Sequence, residues 1–90
     1  MKILILGNVA SGKTTLAKQL SQKHKINYYE IDSIVHDDNN GGKKRSIEEQ
    51  NKIIKEINKS DNWIIEGILR ENLYYLLEMV DKIIYLDVVR

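Results

Sequence analysis

Two glycines, a lysine and two threonines stand at fixed spacing in GNVASGKTT, residues 7–15. The pattern G-x-x-x-x-G-K-[ST], filled by Gly7, Gly12, Lys13 and Thr14, is that of a loop built to hold phosphate groups. Glycine reaches backbone angles closed to residues with a Cβ, so the chain can wrap tightly and turn several N–H groups inward as an anion nest. The helix that follows begins with N–H groups lacking internal partners, at the positive end of its dipole. Lys13 adds a full positive charge, and the Thr14 hydroxyl is a ligand of the kind Mg²⁺ takes. The binding set is therefore Gly7, Asn8, Ala10, Ser11, Gly12, Lys13, Thr14 and Thr15. The plain alternative is a glycine-rich turn capping a helix. On average composition, a chance match to all four fixed positions in so short a chain is on the order of a few in a thousand.

A phosphate loop needs a strand entering and a helix leaving. The apolar run at residues 2–6 supplies the first, and Leu16, Ala17 and Leu20 share one face of a helix that supplies the second. Further apolar runs at 28–31, 63–65 and 83–89 read as strands. Between them, Ile47, Ile53, Ile54 and Ile57 share a helical face that starts with a Ser46/Glu49 capping box, and Leu69, Leu73, Leu76, Leu77 and Val80 form another helical stripe. Strand and helix alternate, which predicts a parallel sheet with helices on both faces. Residues 37–46, DDNNGGKKRS, read as a loop.

In such sheets ligands sit beyond the carboxyl ends of the strands, so chemistry is expected just after each apolar run. Those places hold the phosphate loop, Asp32, Glu66 with Gly67, and Asp87. Each has a plain alternative: Glu66 as a polar strand end, Asp32 as the cap of a short helix from Ser33, Asp87 as a structural strand-end residue. Arg70 reads as a solvated residue at a helix start, an odd place for one because a cation there opposes the helix dipole. Lys43, Lys44 and Arg45 read as a solvated run before a phosphate clamp, and His36 has no partner visible in sequence.

Composition limits the rest. Ninety residues with a formal net charge of +1 make one domain, residues 1–90, and give no electrostatic footprint for nucleic acid. With no cysteine, disulfides, thiol nucleophiles and thiolate metal sites are excluded. No apolar stretch approaches a membrane span, and a cytoplasmic protein is the default expectation.

WIIEGILR, residues 63–70, resembles the strand, acidic residue, glycine and arginine of adenylate-kinase-like nucleotide kinases. GNVASGKTTLAKQL together with YYEIDSIVHDD, KRSIEEQ and WIIEGILR resembles the bacterial DNA topology modulation proteins, P-loop proteins of that same fold. The resemblance implies a three-layer αβα P-loop NTPase fold with principal strand order 2-3-1-4, ATP and Mg²⁺ as cofactors, and a small phosphate acceptor as partner. It implies that Glu66, with Thr14, organises Mg²⁺, that Arg70 grips the acceptor's phosphate, and that Asp32 faces the acceptor's hydroxyl, with Lys13 on the donor phosphates. Adenylate kinases usually have Asp where Glu66 stands and Pro where Leu69 stands. The alternative from a different class is a nucleotide-binding regulator linked to DNA topology without turnover of its own.

The resemblance also implies a lid with arginines, a last helix and a fifth strand after residues 83–89, which this sequence does not contain. The expectation is an exposed fourth strand, with the face bearing the first helix only half covered, and self-association through that edge or face.

Overall fold

The computed structural model describes residues 1–7 and 12–86. The elements, in chain order, are β1 (Lys2–Gly7), α1 (Lys13–His24), β2 (Tyr28–Glu30), α2 (Ile31–Val35), β3 (His36–Asp37), β4 (Lys43–Lys44), α3 (Ile47–Ile57), β5 (Trp63–Gly67), α4 (Leu76–Met79) and β6 (Lys82–Leu86). A four-stranded sheet runs in the order β2-β5-β1-β6, and every pairing in it is parallel. Taken as principal strands, this is the expected 2-3-1-4.

Alternation along β1 and β5 divides the core. Ile3, Ile5 and Ile64 pack on one face against Ala17 of α1, with Leu16 and Leu20 half-buried beside them. Leu4, Trp63 and Ile65 face the other way, against Ile31, Ile34 and Val35 of α2, Ile54 and Ile57 of α3, and Leu73 and Leu76. Right-handed crossovers from β2 to β5 and from β5 to β6 require helices on that second face, opposite α1. β5 is buried along its whole length, as a strand covered on both faces should be.

Four expectations are corrected. The stripe from Leu69 to Val80 is not one helix: Leu73 bonds back to Arg70, Tyr74 to Glu71, Leu77 to Tyr74 and Glu78 to Tyr75, so the segment winds in tight 3₁₀-like turns around the short α4. Leu73 and Leu76, three apart, share a buried face under that winding. The tract read as a loop contains a small hairpin in which His36 pairs with Lys44 and Asp37 with Lys43. Gly41 and Gly42 take φ of 66° and 74° at its turn, and the Asp37 carboxylate accepts from the Asn39 N–H at 3.1 Å.

On α3 the capping box is present, the Glu49 N–H donating to Ser46 Oγ at 3.1 Å. The inward face, however, is Gln50, Ile54 and Ile57, while Ile47 in the first turn is exposed. Finally, the uncovered apolar surface lies on the face opposite the expected one. Ile83 and Tyr85, in register with Leu4 and Leu6, stand exposed on the α3 side because α4 is too short to reach across β6; Ile84 and Leu86 are half-buried on the α1 side.

Candidate functional site

The carboxyl ends of β1, β5 and β2 meet the start of α1. Gly7 closes β1 in register with Leu86, and Gly12 stands at the N-cap of α1 with φ 87°, a left-handed conformation that a residue with a Cβ adopts only under strain. Among the described residues an added Cβ there would meet nothing within 4 Å, so the backbone angle is what calls for glycine. The Leu16 N–H donates to the Gly12 carbonyl at 3.0 Å and starts the helix. Lys13 is its first residue and is half-buried; Thr15 is exposed in the first turn. Asn8, Ala10, Ser11 and Asp87 lie outside the described residues.

Thr14 and Glu66, 52 residues apart in sequence, meet here: the Thr14 hydroxyl donates to Glu66 Oε2. Glu66 lies on the central strand β5 and is only 4% exposed. A carboxylate is rarely buried without a partner charge or a metal. A hydroxyl and a carboxylate side by side at a helix start form a hard-oxygen donor set of the kind Mg²⁺ shares with phosphates and water. Among the described residues no group of three or more His, Cys, Asp or Glu could hold a metal by itself. The pair Thr14/Glu66 therefore fits a magnesium ion that takes its remaining ligands from phosphate and water.

Asp32 and Arg70 also come together. Asp32 is in the first turn of α2, three-quarters exposed, and Arg70 Nη2 donates to its Oδ1 at 2.9 Å. Asp32 is not a helix cap: α2 begins one residue earlier, at Ile31, with Glu30 at the N-cap position. What lets the exits of β2 and β5 approach is Gly67. Its φ is 146°, and a Cβ built on it would sit 2.9 Å from the Cβ of Ile31.

One acidic residue escaped the sequence reading. Glu30 is the register partner of Glu66 on the neighbouring strand, so the two project from the same side of the sheet. β2 ends at Glu30, one residue short of the end of the apolar run at 28–31, which continues into α2 through Ile31 and so masks Glu30 as a strand end. His36 is a strand residue opposite Lys44. Arg45 lies 3.8 Å from Asp37 and lines a groove of about 610 Å³ along β2, with Tyr28, Tyr29 and Ile53 among its walls. The groove's walls include Glu30 but neither Thr14 nor Glu66.

The arrangement is that of a P-loop domain, and comparison with known proteins agrees. A family model described as an AAA domain matches residues 3–89. The chain belongs to this AAA-domain family. Among solved structures, the AAA-domain chain is similar to shikimate kinase from Aquifex aeolicus vf5, with a TM-score of 0.69 at 20% sequence identity. The match covers 99% of this chain and 61% of the kinase chain, so the AAA-domain chain spans less than two thirds of that protein's length. At this identity the likeness is one of fold: a parallel sheet with helices on both faces, of the P-loop kinase type. No curated protein sequence matches the AAA-domain chain. Among its described residues no helix is long and apolar enough to cross a membrane.

Proposed function

We propose that this chain binds Mg·ATP at the P-loop and transfers the γ-phosphoryl group to a small acceptor, a nucleotide or related metabolite. The observation that carries the reading is the Thr14–Glu66 contact under a left-handed Gly12: a hydroxyl and a buried carboxylate brought together at the helix end that attracts anions. In this reading Lys13 and the loop amides stabilise the β- and γ-phosphates, and Thr14 and Glu66 hold the magnesium ion. When bound there, the ion would supply neutralisation of the phosphates' negative charge. Arg70 orients the acceptor's phosphate, and Asp32 accepts the proton of its attacking hydroxyl once Arg70 has turned to the incoming anion. Phosphoryl transfer asks the protein chiefly for positioning and positive charge, which Lys13 and Arg70 provide here.

A link to DNA topology rests on the resemblance alone. With a formal net charge of +1 the chain offers little for a phosphate backbone, so a regulatory role would act through nucleotide occupancy and not through direct DNA contact. The deciding experiment is ADP release measured across nucleotides, nucleosides and small phosphorylatable metabolites, beside calorimetry with Mg·ATP. Binding with acceptor-dependent release supports the kinase; binding with silence for every acceptor favours the regulator; no binding of Mg·ATP removes both.

A further inference from the structure

Gln50 has no exposed surface, although it is an uncharged polar residue in the second turn of an amphipathic helix. Both ends of its amide are used. Nε2 donates to the main-chain carbonyl of Arg45 at 2.9 Å, and Oε1 accepts from Nδ2 of Asn72 at 3.0 Å. Asn72 is two residues past Arg70 and is held to it by the tight turn in which the Leu73 N–H donates to the Arg70 carbonyl at 2.9 Å.

From Arg45 the chain of contacts continues to the other side of Arg70. The Arg45 N–H donates to the carbonyl of Val35 at 2.7 Å, and Val35 ends α2, the helix whose first turn carries Asp32. Asp32 in turn accepts from Arg70. The contacts form a closed circuit: Arg70 to Asp32, through α2 to Val35, to the main chain of Arg45, to Gln50, to Asn72, and back to Arg70. Arg45 is held in it by its backbone. Its Nε is a buried atom with no hydrogen-bond partner among the described residues, and Asp37 stands 3.8 Å from its Nη2, beyond hydrogen-bond reach.

A buried amide with a partner at each end adds little net stability over an apolar side chain of the same volume, but it restricts the relative placement of the groups it joins. We infer that Gln50 is a positioning residue for Arg70: its amide sets where the turn carrying Arg70 sits relative to Asp32, and so prepares the guanidinium for an oxyanion. The inference deepens, and rests on, the reading of Arg70 as the group that binds the acceptor's phosphate.

The test uses the full chain, loaded with a non-hydrolysable Mg·ATP analogue so that the P-loop is filled, and inorganic phosphate as the probe of the Arg70 site. Gln50→Met keeps the volume and removes the amide. It is expected to weaken phosphate binding about three- to tenfold, with the affinity for the Mg·ATP analogue unchanged. Asn72→Ala, which severs the circuit yet leaves the Gln50–Arg45 bond, is expected to weaken phosphate similarly and serves in place of Gln50→Met if that variant does not fold. Arg70→Ala is the reference. If Arg70→Ala abolishes phosphate binding while Gln50→Met and Asn72→Ala bind phosphate as the parent does, the positioning role is overturned and the reading of Arg70 stands. If Arg70→Ala itself leaves phosphate binding intact, the reading of Arg70 falls and the inference falls with it.

Discussion

Arg70 donates to Asp32 across the exits of two neighbouring strands, at 2.9 Å, and both side chains keep part of their surface in water. Such a pair contributes no more than about 1 kcal/mol to stability. Its loss should therefore be felt in chemistry and hardly in folding. Arg70→Ala is expected to lower kcat/KM for the acceptor about a hundredfold or more, with Mg·ATP binding retained and thermal unfolding little changed. Steady-state kinetics beside a melting curve checks this; a variant that loses stability but keeps its turnover would show the pair to be structural.

The Thr14–Glu66 contact predicts a different signature. Glu66→Gln keeps the shape and removes the charge, so affinity for nucleotide in the presence of Mg²⁺ should fall about ten- to a hundredfold. Affinity measured with excess chelator should be almost the same as in the parent chain. Calorimetry with and without Mg²⁺ separates the two. Equal losses under both conditions would mean that Glu66 acts on the loop itself and not through the ion.

Gly67 is expected to be intolerant of even one methyl group. The added Cβ in Gly67→Ala would meet Ile31 at 2.9 Å, and the φ of 146° is one that alanine avoids. Backbone strain of this kind and overpacking each cost about 1–3 kcal/mol. Denaturant unfolding should register the loss, and α2 should shift enough to part Asp32 from Arg70. An alanine variant as stable as the parent would contradict the close approach of β5 and α2.

The sequence made much of this legible, for reasons that can be named. Glu66 and Asp32 stood out because a parallel sheet gathers function at its carboxyl ends and apolar runs mark those ends, whereas Arg70 was legible through the resemblance carried by WIIEGILR. Glu30 did not, because apolarity continues through Ile31, where the chain has already turned into α2. Ile31 is fully buried at the start of α2, as a residue of a covered strand would be, so its hydrophobicity could not report the boundary. Gln50 was hidden for a related reason: a polar side chain on a helix reads as solvent-facing unless its partners are known, and Asn72 lies 22 residues away. The stripe from Leu69 to Val80 carried spacings of both three and four, and only the backbone bonds show that tight turns of three flank a short α-helix.

Tyr75 provides a test of the seam between α3 and the segment after β5. Its hydroxyl donates to Asn51 Oδ1 at 2.7 Å, and burial raises its pKa above the ordinary tyrosine value of 10.0. Below that value the ring is protonated in folded and unfolded chains alike. As pH rises past it, the unfolded chain loses the proton first, so stability should decline from about pH 10 upward. Tyr75→Phe should be less stable near neutrality by about 0.5–1.5 kcal/mol, through loss of the Asn51 bond, and should show a shallower alkaline decline. Melting curves from pH 8 to 11, with tyrosinate absorbance, would reveal it; parallel declines in both chains would assign the effect to other groups.

β6 is the edge of the sheet beyond β1, and its exposed Ile83 and Tyr85 project from the same face. We propose that a second copy adds to this edge, in a register the strand itself suggests. Antiparallel pairing about a two-fold axis at Ile84 sets Ile83 of each chain opposite Tyr85 of the other, a β-branched and aromatic pairing of the favourable kind, and Lys82 opposite Leu86, so that no like charges meet. The expected outcome is a concentration-dependent rise of the weight-average mass in sedimentation above that of one chain. Tyr85→Lys would place a lysine in the middle of the shared face and should return the chain to a monomer without lowering its affinity for Mg·ATP, since Tyr85 lies outside the nucleotide-binding set. A parent chain that stays monomeric across the whole concentration range would leave the edge without this partner.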